Sequence, residues 1–118
     1  MGRLTTHVLD TARGKPAHGL RIELFGLGED GHPERLADVT TNADGRCDAP
    51  LLEGAGFRAG RYQLVFYAGA YFDALGIDLP EPKFLDDVVI RFGISGGDQH
   101  YHVPLLLSPY AYSTYRGS

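Results

Sequence analysis

Gln99-His100-Tyr101-His102-Val103-Pro104-Leu105-Leu106-Leu107 reads as a β-strand with two unlike faces. Side chains alternate across a strand, so Tyr101, Val103, Leu105 and Leu107 share one side, and His100, His102, Pro104 and Leu106 share the other. The first set is wholly apolar or aromatic and belongs on a core. The histidines therefore point away from the interior, beside a proline that cannot donate to a ladder. One stretch predicts both a half-buried sheet and a surface carrying imidazoles.

The same period of two recurs along the chain. Leu20, Ile22 and Leu24 alternate with Arg21 and Glu23, and Val88, Ile90, Phe92 and Ile94 alternate with Val89, Arg91 and Gly93. Turn clusters such as Glu29-Asp30-Gly31-His32-Pro33 and Asn42-Ala43-Asp44-Gly45 separate these runs. Strands are expected near residues 4–10, 20–28, 34–42, 46–49, 61–69, 85–94, 99–107 and 110–116. Ala70-Tyr71-Phe72-Asp73-Ala74-Leu75 fits a short helix stopped by Gly76. About eight strands and one short helix predict an all-β, two-sheet sandwich, and residues 1–118 read as one domain.

Composition narrows the function classes. At 118 residues the chain can bury roughly two-thirds of its unfolded surface. Its net charge of −4 is spread without blocks of one sign, which argues against nucleic acid and membrane surfaces as partners. Cys47 is the lone cysteine, so no internal disulfide exists and a reducing compartment fits. The first residues lack the apolar run of a signal peptide, and the last do not spell Ser-Lys-Leu. The expected location is cytoplasmic.

The candidate chemistry lies on the outward faces. In the first strand Leu4, Thr6 and Val8 read as core, which turns His7 outward beside Leu9. The last strand puts Ser113 and Tyr115 on one face. A sheet surface bearing Leu9, Leu106 and Tyr115 among histidines suits a partner or ligand better than bare water, and a second copy of the chain is the simplest partner. His18 and His32 sit in turns and read as solvated. His100-x-His102 on one face could chelate zinc, but such sites want three or four ligands, and few carboxylates lie near these strands. Neutral imidazole is an effective base near physiological pH. A guanidinium such as Arg46 repels protons from neighbouring histidines and can steady charge developing on a carbonyl oxygen. Ser113 and Ser118 lack a Gly-x-Ser-x-Gly setting, so histidine-assisted hydrolysis without a covalent intermediate is the favoured chemistry.

Thr5-Thr6-His7-Val8-Leu9-Asp10, then Asp44-Gly45-Arg46, then His100 through Pro109 running into Tyr115-Arg116-Gly117-Ser118, resemble the 5-hydroxyisourate hydrolases, the transthyretin-like enzymes of urate breakdown. The resemblance covers essentially the whole chain, including the short helix. It implies two four-stranded sheets and a homotetramer, a dimer of dimers with its sites in the channel between the dimers. It implies hydrolysis of the N1–C6 amide of 5-hydroxyisourate to 2-oxo-4-hydroxy-4-carboxy-5-ureidoimidazoline, on the way to allantoin. Carried over, the catalytic residues are His7, Arg46, His102 and Ser118. His7, Arg46, Leu106, Tyr115 and Arg116 would bind substrate. Either histidine could be the base, and neither metal nor organic cofactor is implied. The rival function is transthyretin-type carriage of a small hydrophobic hormone, and a third is a structural or metal-binding sandwich.

Overall fold

A computed structural model describes residues 2–96 and 98–117. Nine strands are named: β1 (Arg3–Asp10), β2 (Lys15–Pro16), β3 (Arg21–Leu27), β4 (Pro33–Thr40), β5 (Leu52–Glu53), β6 (Gly60–Tyr67), β7 (Asp87–Ile94), β8 (Tyr101–Ser108) and β9 (Ala111–Thr114). One helix, α1 (Ala68–Ala74), follows β6 directly. The strands form two sheets, as the alternating pattern predicts. One is antiparallel in the order β4-β3-β6-β7, and the other runs β2-β1-β8-β9 with β5 also on β1.

The faces follow the pleat. Leu4 and Val8 of β1, Leu105 and Leu107 of β8, and Ile22, Leu24, Leu64 and Phe66 of the opposite sheet are fully buried in one cluster. Burying one such side chain is worth about 1.5–3 kcal/mol, so these residues pin the register of both sheets. Phe72 of α1 joins the cluster, and the Tyr71 hydroxyl donates to the buried Asp10 carboxylate at 2.8 Å. That bond and burial push the Tyr71 phenol up to about 12. The helix thereby ties down the end of β1.

Three expectations need correction. No strand spans residues 46–49. Arg46 makes a single antiparallel bridge to His7, and the next strand on that edge is β5. Pro50 has no N–H to donate, which prevents a ladder through this stretch. The helix starts at Ala68 rather than residue 70, because its first turn is anchored by the Gly69 N–H donating to the Asp86 carbonyl at 2.8 Å. Finally, the histidine-bearing sheet has five strands rather than four, since β2 and β5, two residues each, cap opposite ends of β1.

Pairing at the carboxyl end fixes the last residues. β8 and β9 pair as Leu106↔Ser113 and Leu105↔Thr114, and the same register recurs at the bridge His102↔Gly117. Tyr115 therefore falls opposite Pro104, whose missing N–H interrupts the ladder. The Pro104 carbonyl instead accepts the Thr114 hydroxyl at 2.7 Å. Beyond the gap, Gly117 N–H donates to the His102 carbonyl at 2.6 Å, and His102 N–H donates back at 3.3 Å.

Candidate active site

The outward face of the β1-β8-β9 sheet is a small grid. β1 and β8 are parallel and pair Thr5 with His102, His7 with Pro104, and Leu9 with Leu106. Adding the bridges on either side gives one row of Thr5, His102 and Gly117, and a second of Arg46, His7 and Pro104. A third row is Leu9, Leu106 and Ser113. His7 and His102 are thus diagonal neighbours on adjacent strands. Both are half-buried on the face away from the core.

Arg46 reaches this face through a tight turn. The Asn42 side-chain oxygen accepts the Asp44 and Arg46 N–H groups at 2.9 and 3.2 Å, and Gly45 N–H donates to the Asn42 carbonyl. Gly45 has φ +73°, where an L side chain is strained. A Cβ there would also lie 2.4 Å from the Val8 carbonyl oxygen. Only glycine fits, and the turn stays flush against β1 through Val8 N–H to Gly45 O at 2.8 Å.

His102 is gripped from both sides. Its Nδ1 lies 2.8 Å from the Thr5 hydroxyl. Its Cδ2 edge faces Gly117, where an added Cβ would be 3.0 Å away. Beside it opens a cleft of about 460 Å³, within the range of small-molecule sites, bordered by Arg3, Thr5, Arg46, Cys47, Asp48 and His102. His7 stands one row along from this cleft, next to Arg46.

Electrostatics keep both rings neutral. Burial lowers the His7 pKa from its ordinary value, Arg46 lowers it further, and Asp44 partly opposes them through its backbone and its carboxylate. For His102, burial is again the main cause, followed by Arg46 and His7. Each ring therefore offers a lone pair around neutral pH. Among the described residues no group of three His, Cys, Asp or Glu is placed to hold a metal ion.

Residues 4–117 match the HIUase/Transthyretin family. The chain belongs to this family. It is 64% identical over 118 residues to the 5-hydroxyisourate hydrolase of Pseudomonas aeruginosa, covering 100% of this chain and 93% of that one. Among solved structures, an (S)-allantoin synthase superposes with TM-score 0.94 at 45% identity, and the match covers 99% of this chain and 44% of that longer one. A sea bream transthyretin in complex with thyroxine superposes with TM-score 0.87 at 29% identity, covering 98% of this chain and 94% of that one.

The family's fold brings some of the expected residues together and separates others. His7, Arg46 and His102 share one face and one field. Leu106 lies on the same face, next to Leu9 and a row beyond His7. Tyr115 is exposed and borders a different hollow, of about 290 Å³, together with Arg116, Phe92 and Tyr101. The Arg116 guanidinium stacks 4.3 Å over Tyr101 and donates to the His100 carbonyl and the Gln99 side chain, so within one subunit it turns away from the histidines. Ser118 lies outside the described residues. Thr5 was missed as a site residue. Its signal is not local: only the parallel register that sets His7 opposite Pro104 puts Thr5 opposite His102.

Proposed function

We propose that this chain hydrolyses 5-hydroxyisourate at its N1–C6 amide. One observation carries the reading: two neutral imidazoles and a guanidinium from three separate segments occupy neighbouring positions on one outward face, beside a cleft of ligand size. The high identity to a curated 5-hydroxyisourate hydrolase supports the same substrate.

The chemistry follows from the parts. One histidine takes a proton from water, and the resulting hydroxide adds to the C6 carbonyl. The Arg46 guanidinium steadies the oxyanion that forms. The C6–N1 bond then breaks, the imidazolium returns its proton to the departing nitrogen, and C6 is left as a carboxylic acid that releases its proton to solvent. The product is 2-oxo-4-hydroxy-4-carboxy-5-ureidoimidazoline, and no oxidant, metal or organic cofactor is consumed. The second histidine holds the substrate, and Ser118, next in sequence to Gly117, positions substrate or water. Leu9 and Leu106 supply an apolar wall. That wall supports a homotetramer, a dimer of dimers, with the cleft at the seam between dimers.

Carriage of a hydrophobic hormone is the second reading, favoured by the likeness to the thyroxine-bound transthyretin. An apolar binding channel has no use for two imidazoles beside a guanidinium, so hydrolysis is preferred. The test is the decay of freshly made 5-hydroxyisourate, followed by absorbance with and without the folded protein. Catalysed decay that survives chelators is expected. Decay no faster than the spontaneous rate removes the enzyme reading, and thyroxine binding in its place would establish the carrier.

A further inference from the structure

We infer that Thr5 sets the tautomer of His102: the ring donates its Nδ1–H to the Thr5 hydroxyl, which leaves the Nε2 lone pair turned into the cleft as the base. This rests on the hydrolase reading and chooses between the two histidines. Thr5 is a positioning residue, acting through His102.

Thr5 and His102 are register partners across the parallel β1-β8 pair, and their side chains meet at 2.8 Å through Nδ1. The opposite edge of the ring, at Cδ2, packs against Gly117, where a methyl group would fit only if the imidazole gave way by a few tenths of an ångström. His102 lines the cleft, and among the described residues Nδ1 has a hydrogen-bond partner while Nε2 has none, which leaves Nε2 as the ring nitrogen open to water or substrate. A neutral imidazole has one N–H and one lone pair, so the partner at Nδ1 decides what Nε2 offers. Thr5 can accept. Among the described residues its hydroxyl has no other hydrogen-bond partner, and its own proton remains available to a bound water.

Arg46 breaks the tie. Its charge acts on His102 from the cleft side, where both residues are lining groups. A cation favours a lone pair pointing toward it and disfavours an N–H dipole pointing toward it. The arrangement with Nδ1–H on Thr5 and bare Nε2 in the cleft satisfies both neighbours. The reverse would leave an N–H rather than a lone pair in a cleft that already holds a guanidinium, and deprive it of a base on β8. Gly117 has a matching part: a Cβ there would crowd the ring at 3.0 Å from Cδ2, and glycine lets the ring keep its place against Thr5.

The test is ring-nitrogen NMR on protein with ¹⁵N-labelled histidine at neutral pH, the His102 signals assigned by their loss in His102→Asn. The expected wild-type spectrum has the proton on Nδ1 and none on Nε2. Thr5→Val should shift His102 toward the Nε2–H form and lower kcat about tenfold with little change in KM, the size expected for one neutral hydrogen bond. Thr5→Ser should restore both readouts, and Thr5→Ala substitutes for the valine variant if that chain fails to fold. A wild-type His102 protonated on Nε2 overturns the inference. So does a Thr5→Val protein with unchanged tautomer and rate, or a serine variant that rescues neither. Absence of wild-type turnover would defeat the hydrolase reading, and the spectrum would still decide the tautomer.

Discussion

Replacing Gly45 with alanine should damage stability and activity together, and the structure sets the size. At φ +73° an L residue in this left-handed region costs about 1–2 kcal/mol. The new Cβ would lie 2.4 Å from the Val8 carbonyl oxygen, closer than real Cβ atoms come, so the turn must lift from β1. Two hydrogen bonds are disturbed: Val8 N–H to Gly45 O at 2.8 Å, which holds the turn, and Ala17 N–H to Val8 O at 2.9 Å, because the Cβ would also lie 3.2 Å from Ala17 N. At about 0.5–1.5 kcal/mol each, their loss brings the total to about 2–5 kcal/mol. For a chain of this length that lowers Tm by at least about 6 °C. Lifting the turn also withdraws Arg46 from His7, and losing a charge that steadies an oxyanion costs about 10²-fold in kcat. Thermal melts by circular dichroism measure the first effect. Hydroxyisourate decay, measured well below the variant's melting point, gives the second. A variant that melts within about 2 °C of wild type at full activity would refute the account of how Arg46 is placed.

Other perturbations separate site from scaffold. His102→Asn should reduce turnover sharply while Tm stays within a few degrees, because the ring lies outside the core; a large loss of stability would show that the ring supports packing. Deleting residues 115–118 should abolish activity and lower Tm by a few degrees, since it removes the two bonds that tie Gly117 to His102; a fully active truncation would make the tail dispensable. Both histidines have pKa values lowered from the ordinary 6.5, so kcat/KM should rise with pH through a midpoint below 6.5 and stay flat near neutrality. Arg46→Gln should move that midpoint upward but not to 6.5, because burial, the larger cause, remains; an unmoved midpoint would deny the coupling. The sign for stability follows. The unfolded chain binds these protons more readily than the fold does, so the histidines' contribution is lost as pH falls from about 6.5 through the folded values.

The sandwich was legible because its strands alternate so strictly that one face of β1 and of β8 could only be core. From that came the outward placement of His7 and His102. What the sequence hid depends on pairing between distant segments. Residues 46–49 look like a strand, yet Pro50 and the Gly45 turn reduce the segment to the single Arg46–His7 bridge. Tyr115 and Arg116 adjoin in sequence to Gly117, but alternation sends the Arg116 guanidinium onto Tyr101. Thr5 went unnoticed because its importance is a register fact: nothing local says that it lies opposite His102.

Catalysis at this face requires that His7, Arg46 and His102 act on one molecule. A structure of the protein bound to an unreactive purine analogue tests this directly. The expected result is an analogue within hydrogen-bond distance of all three side chains, with its amide carbonyl toward Arg46 and His102 Nε2 facing the position of attacking water. An analogue seated instead in the hollow beside Tyr115 and Arg116, or held by none of the three, would contradict it.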